Sequence, residues 1–228
     1  MTKTEYNSPI ETEEDTQRTS IEIQPWFQIL IRPRFTMKWI LGNDSSGDVF
    51  ILCYLEGLAY YLLNASTTGM GNKHSVMGIL LWGLASAFVF MLVKIYIGGG
   101  ILFLTGRWLK GAEEVDGIRS ALAWSTMPNI WGLLLWIPAF VFLQEELFTT
   151  ATPRLSTSMP LFIGYLVFRF LILIGNIYSM ILLVPTLAEA QGFSIMRSIT
   201  NIFLALMLLF VPVAVFFGYV LFKASLGL

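Results

Sequence analysis

Apolar residues dominate five long stretches of this chain, and short polar segments separate one stretch from the next. A helix that crosses a bilayer needs about 20 predominantly apolar residues, whereas a barrel strand alternates over roughly ten. The stretches are continuous and do not alternate, so the pattern predicts an all-α integral membrane protein with a five-span helical bundle. The predicted spans are Asp48 to Asn64, Val76 to about Thr105, Pro128 to Leu143, Leu161 to about Leu187, and Ile199 to Phe222.

Composition supports a membrane protein and argues against several other classes. Of 228 residues, 56% are hydrophobic and only 13% are charged, whereas a soluble domain carries about a quarter charged residues. The net charge of -1 gives no basic excess for a nucleic-acid partner. The single cysteine, Cys53, cannot form an intrachain disulfide, and the single histidine, His74, cannot supply a zinc site. We therefore expect neither a metal nor a cofactor.

The first 24 residues are polar and acidic, a composition that predicts a disordered cytoplasmic tail. They lack a basic start followed by an apolar run, so no signal peptide is expected. The chain then divides into this tail (1–24), an interfacial juxtamembrane segment (25–47) and a five-helix membrane domain (48–228).

Lysine and arginine positions predict the orientation of the spans, because cytoplasmic loops of membrane proteins carry an excess of these residues. With a cytoplasmic N-terminus, three cations lie outside, namely Lys73, Arg154 and Lys223. Nine then lie inside, namely Lys3, Arg18, Arg32, Arg34, Lys38, Arg107, Lys110, Arg119 and Arg197. This asymmetry predicts that the N-terminus is cytoplasmic.

The segment from Pro25 to Leu41, PWFQILIRPRFTMKWIL, is apolar but too short and too often interrupted by cations to cross the membrane. Pro33 breaks a continuous helix, so we expect two short helices. Aromatic side chains beside cations are typical of a segment that lies in the interface and contacts anionic lipids. The residues expected to contact the membrane are Trp26, Phe27, Arg32, Arg34, Lys38 and Trp39. The alternative is a cytoplasmic cap packed on the span bundle, and both can hold at once.

Three ionisable residues lie inside the spans, where a charge is costly and usually has a partner or a role. At the helical rise per residue, Glu56 lies about 12 Å and Lys94 about 16 Å from the cytoplasmic side, so the levels suit an ion pair. Arg169 lies about 12 Å from the outer end of its span and is expected to extend toward Glu145 or Glu146. The three charges form either structural ion pairs or a proton or ion path.

The glycine triplet Gly98-Gly99-Gly100 lies within the second span. A fully helical second span is about 45 Å long, which exceeds the roughly 30 Å hydrocarbon core. The triplet is therefore either an unwound joint that lines a substrate site or a place where helices pack closely through small residues.

Three stretches share their pattern and order with a known family. PWFQILIRPRFTMKWIL is a lead before the first span, and ALAWSTMPNIW (121–131) opens the third. LAEAQGFSIMRSITNIFLAL (187–206) links the last two spans. Together they resemble bacterial members of the Yip-one domain family, the Ypt-interacting-protein family.

The resemblance implies a five-span membrane domain with a cytoplasmic N-terminus, in the plasma (inner) membrane of a bacterium. Eukaryotic members are associated with Rab-type GTPases and with vesicle traffic between the endoplasmic reticulum and the Golgi. Their Asp-Leu-Tyr-Gly-Pro motif is absent here, and only Glu56-Gly57 is similar to it. A GTPase-linked role is therefore not implied.

No nucleophile lies beside a base in a catalytic pattern, so the chain is not expected to be an enzyme. The leading hypothesis is a multi-pass membrane protein that organises lipid or binds partner proteins as a scaffold, either alone or as a homo-oligomer. The alternative is a small transporter or channel-like protein that uses Glu56, Lys94 and Arg169.

Overall fold

The computed structural model describes residues 24–43, 46–111 and 114–225, and this part of the chain is almost entirely helical. Five helical segments are long and apolar enough to cross a membrane, and each contains or overlaps one of the five predicted runs. Their bounds are Asp48–Thr68, Val76–Trp108, Val115–Leu147, Met159–Ala190 and Ile195–Tyr219. The prediction of an all-helical membrane protein with five spans is confirmed. The predicted tail (1–24) lies, apart from Gln24, outside the described residues.

The spans are built from regular helices with a few short irregular turns. Two short helices, Pro25–Ile31 and Pro33–Gly42, precede the first span, and we call them together the cap. The span helices are Ser46–Thr68, Val76–Leu92, Gly99–Trp108, Val115–Trp124, Met127–Leu143, Met159–Ala190 and Ile195–Ser225. The irregular turns are the 3-10 helices Met70–Asn72 and Gln144–Leu147 and the π-helical Val93–Gly98. A short α-helix, Pro153–Thr157, precedes the fourth span.

The third span begins well before the predicted Pro128, with the helix Val115–Trp124. Charged residues near its start make this stretch look like a loop in sequence, but Ile118, Ala121 and Ala123 are fully buried. Its buried face contacts the cap and the first, second and fourth spans. The helix Met127–Leu143 nevertheless begins next to the predicted Pro128, and the preceding helix, whose apolar face neighbouring helices cover, extends the candidate span back to Val115.

The glycine triplet does not unwind the second span. The backbone widens into a π-helical turn over Val93–Gly98 and returns to an α-helix at Gly99. A Cβ on Gly99 would lie 3.3 Å from Cγ of Arg119, so Gly99 permits close packing against the third span. A Cβ on Gly100 would have no neighbouring atom within 4 Å. The structure therefore matches the packing interpretation of the triplet, with the irregular turn just before it.

The first and second spans pack closely at Gly57. A Cβ at this position would lie 2.9 Å from the carbonyl oxygen of Ala87, closer than real side-chain contacts come. Backbone atoms cannot move aside as a flexible side chain can, so only glycine allows this approach.

The fifth span packs less closely on the bundle than the other spans, since its described side chains from Leu206 onward are exposed.

We predict that Gly57→Ala destabilises the bundle, because the new methyl group collides with the backbone of the second span. An overpacked site of this kind costs about 1–3 kcal/mol. The matched control is Gly100→Ala, which meets no atom within 4 Å and should leave stability unchanged or raise it by about 0.5–1 kcal/mol. Thermal unfolding of the two purified variants in the same detergent compares them. Equal stability of both would show that the two spans do not approach as closely as described.

Candidate functional site

The cap is docked on the span bundle through one buried face. Ile29 and Met37 are fully buried and Ile40 is nearly so, and all three belong to the core cluster that also contains residues of the first three spans. The predicted break at Pro33 is present, because one short helix ends at Ile31 and the next begins at Pro33. The structure thus contains the packed cap that the sequence left as one of two alternatives.

Polar contacts fix the cap along the fourth span and on the helix Met127–Leu143 of the third. The hydroxyl of Tyr178 donates a hydrogen bond to the carbonyl oxygen of Leu30. Arg34 Nε lies 3.1 Å from Glu189 Oε2, so this cation is engaged with the protein. The Trp131 indole donates to the carbonyl oxygen of Trp26 at 3.3 Å. These contacts hold both cap helices at defined positions.

The other face of the cap is exposed and mixes aromatic and cationic side chains. Phe35 is 56% exposed, and Trp39, Arg32 and Lys38 are also exposed. Phe27 lies at the boundary between the two faces. Its side chain is half exposed, and its ring centroid lies 4.7 Å from that of Trp131. Trp26 likewise contacts Trp124, with ring centroids 5.9 Å apart. All six residues expected to contact the membrane therefore lie on this accessible surface, with Arg34 also bound to Glu189.

The predicted ion pair between Glu56 and Lys94 is present. Lys94 Nζ donates to Glu56 Oε2, and the side chains of Lys94 and Glu56 are only 14% and 15% exposed, respectively. Lys94 lies in the π-helical turn Val93–Gly98 of the second span. Such single wide turns inside α-helices often occur where a side chain must be placed precisely. The pair joins the first and second spans inside the membrane domain.

Arg169 does not reach Glu145 or Glu146, so that expectation was wrong. Its Nη1 lies 3.4 Å from the Ser66 hydroxyl, and its guanidinium lies over the Tyr165 ring at 5.9 Å from the centroid. Glu146 instead accepts hydrogen bonds from the backbone amides of Arg154 and Leu155. These amides are only eight and nine residues away in sequence, and their bonds satisfy the carboxylate at the end of the third span.

A buried polar network ties the fifth span to the second. Asn201 Nδ2 donates to Gln191 Oε1 at 2.7 Å and to the Leu102 carbonyl oxygen at 3.2 Å. The Thr105 hydroxyl donates to Asn201 Oδ1, and the three polar side chains are at most 3% exposed. A Cβ on Gly106 would collide with Gln191 Nε2, so glycine leaves room for the amide. This network was not predicted from the sequence, in which the only signal was that the amide residues Gln191 and Asn201 lie in or next to apolar runs.

The candidates for function are therefore the exposed face of the cap, the cation Arg169 between spans, and the internal pair of Glu56 and Lys94. The cap offers an aromatic and cationic face, and Arg169 offers a cation between spans at the other end of the bundle. Glu56 and Lys94 satisfy each other and leave no free charge for exchange with a ligand. Among the described residues, no group of three or more His, Cys, Asp or Glu side chains is placed to hold a metal ion.

Comparison with known proteins gives one match. The family model described as the Yip1 domain matches residues 27–217, which is most of the chain. The match begins in the first cap helix and ends inside the fifth span, so the cap and the five spans fall within one domain. No curated protein and no solved structure matches.

We predict that Glu56→Gln and Lys94→Gln are each destabilising but not additive. Removing one partner of a buried pair leaves the other charge uncompensated, at a cost of about 3–5 kcal/mol. The double variant should recover part of that loss because no lone charge remains. Thermal unfolding in detergent measures all three variants.

The control for this cycle is Asp116→Asn, which removes the surface pair with Arg119, joined at 2.8 Å. A solvent-exposed pair contributes about 0–1 kcal/mol, so this change should have a small effect. Additive losses from the Glu56 and Lys94 substitutions would contradict a direct interaction between them.

Proposed function

The chain belongs to the Yip1 domain family, and from that premise we propose that it acts by binding, as a non-enzymatic membrane-organising scaffold. Its cap lies in the membrane interface, where it contacts anionic lipid head groups and presents a surface to partner proteins. The observation that carries this proposal is the two-sided cap, one face of which is core and the other aromatic and cationic.

The composition of the exposed face suits the membrane interface. Aromatic rings such as those of Phe35 and Trp39 favour the boundary between head groups and acyl chains. Each cation near an anionic surface contributes about 1 kcal/mol, so Arg32 and Lys38 together contribute about 2 kcal/mol. Arg34 adds less, because Glu189 already neutralises it. The docked position of the cap means that little further ordering is needed to bind the membrane.

The internal charges favour binding over transport. A proton or ion path needs ionisable groups that can exchange their partner along a route. Glu56 and Lys94 are instead paired with each other, and Arg169 contacts a hydroxyl and a ring and not this pair. The transporter alternative therefore has no specific support from the arrangement of these three residues.

The cellular setting completes the proposal. We place the protein in the inner membrane of a bacterium, in the bacterial branch of the family, with the N-terminus and the cap in the cytoplasm. The support for this orientation is the asymmetry of nine cations against three across the two sides. Anionic lipids of the cytoplasmic leaflet would then face the cationic side of the cap.

We predict the orientation from labelling of single cysteines in a Cys53→Ser background in intact cells. A cysteine at Lys110 should be shielded from a membrane-impermeant thiol reagent, because it lies on the cytoplasmic side. A cysteine at Asn72 should react, because the turn Met70–Asn72 lies on the opposite side. Both positions are exposed in the structure, so accessibility within the protein does not differ between them. Labelling at Lys110 without permeabilisation would contradict the proposed orientation.

We also predict that the outer face of the cap is in contact with lipid. A spin label at Phe35, in the same Cys53→Ser background and in nanodiscs that contain an anionic phospholipid, should collide more with oxygen than with a polar nickel chelate. Oxygen concentrates in the bilayer and the chelate in water. The control label at Lys73, in the exposed turn after Asn72, should show the reverse preference. A polar preference at Phe35 equal to that at Lys73 would rule out the interfacial cap.

A further inference from the structure

A lateral groove opens between the first and fourth spans, with a volume of about 840 Å³. It lies toward the end of the bundle away from the cap, because its first-span residues approach the end of that helix at Thr68. Its walls include Tyr60, Leu63 and Asn64 from the first span and Arg169 and Leu173 from the fourth. The groove is open to the side, where the hydrocarbon of the bilayer lies.

Arg169 is the one cation that lines this groove, and its positive charge is not neutralised within the described part of the chain. Its contacts are the Ser66 hydroxyl, at a distance that is long for a hydrogen bond, and the Tyr165 ring. Glu56 lines a smaller adjoining cavity, but its carboxylate is engaged by Lys94. A charge at membrane depth without a counter-ion is costly, so an anion at this position would be favoured.

The charged residue of the groove lies toward its outer end, and the deeper polar residue Asn176 donates to the Ile172 carbonyl oxygen at 2.8 Å. Arg169 extends toward Ser66, two residues before the end of the first-span helix at Thr68, and Asn64 lies on the same stretch. Tyr60 is about one to two turns deeper in the first span, and Leu173 is one turn deeper in the antiparallel fourth span. The groove thus has a cation toward its outer end and, apart from Tyr60 and Asn176, apolar walls toward the bilayer centre.

We propose that this groove binds an anionic phospholipid of the leaflet opposite the cap. The phosphate lies against the Arg169 guanidinium, and one acyl chain follows the apolar walls past Leu63 and Leu173 toward the bilayer centre. An anion and an acyl chain occur together in that order in a phospholipid, whereas a free phosphate supplies only the anion. This site is separate from the cap and does not rest on the proposed function.

The test is lipid binding to the purified full chain in a neutral detergent, measured by native mass spectrometry. The probes are phosphatidylglycerol and phosphatidylcholine with identical acyl chains, together with inorganic phosphate. Phosphatidylglycerol should bind at least about fivefold more tightly than phosphatidylcholine, the factor that corresponds to about 1 kcal/mol for one cation near an anionic group. In the background Arg32→Gln/Lys38→Gln, which removes the exposed cap cations, Arg169→Gln should abolish this preference.

A matched control is Arg154→Gln, at the same end of the bundle but outside the groove, which should keep the preference for the anionic lipid. The cap double variant Arg32→Gln/Lys38→Gln should still prefer phosphatidylglycerol by about fivefold, because Arg169 is unchanged, and this remaining preference separates the groove from the cap. Leu173→Trp fills the apolar part of the groove without disturbing the core, because Leu173 is 54% exposed. That variant should weaken both phospholipids by a similar factor.

Three outcomes would overturn the proposal. The first is an unchanged lipid preference in Arg169→Gln, in a variant whose thermal unfolding matches that of the parent. The second is unchanged binding of both phospholipids in Leu173→Trp, which would show that no acyl chain occupies the groove. The third is binding of inorganic phosphate as tight as that of phosphatidylglycerol, which would make the site an anion site without lipid.

Discussion

Hydrocarbon offers no hydrogen-bond partner, and this constraint decides how the polar residues of the membrane domain are arranged. Glu56 and Lys94 meet between the first and second spans, and each satisfies the charge of the other. Asn201, Gln191 and Thr105 satisfy one another between the second and fifth spans. The second span is therefore a common partner of both connections. The network around Asn201 is important for holding the fifth span, because the described side chains of that span beyond Leu206 are exposed.

The two ends of the bundle use exposed charge differently. At one end, the cap covers the spans with Ile29 and Met37 and leaves an aromatic and cationic face outside. At the other, the charge of Arg169 lies between two spans beside an open groove. In the proposed function the first surface meets the membrane interface, and in the further inference the second site holds a single lipid. Both roles are binding roles, in agreement with the pairing of Glu56 and Lys94 with each other.

Several of these features follow from sequence because they depend on local rules. Apolar run length gave the five spans, Pro33 gave the break between the cap helices, and the helical rise placed Glu56 and Lys94 at matching levels. Other features depend on long-range packing that one sequence does not encode locally. The helix Val115–Trp124 was not predicted as part of the third span, and its place there depends on packing against neighbouring helices. The partners of Arg169 and the network around Asn201 required knowledge of which helices are adjacent.

We propose that the paired charges Glu56 and Lys94 are structural and that the protein works by binding. Proton flux into proteoliposomes loaded with a pH-sensitive dye, driven by a potassium diffusion potential, tests this claim most directly. We expect the same flux for vesicles with the parent chain, vesicles with Glu56→Gln and vesicles without protein. A flux that rises with the parent chain and falls to the empty-vesicle level with Glu56→Gln would contradict the account and establish transport through this residue.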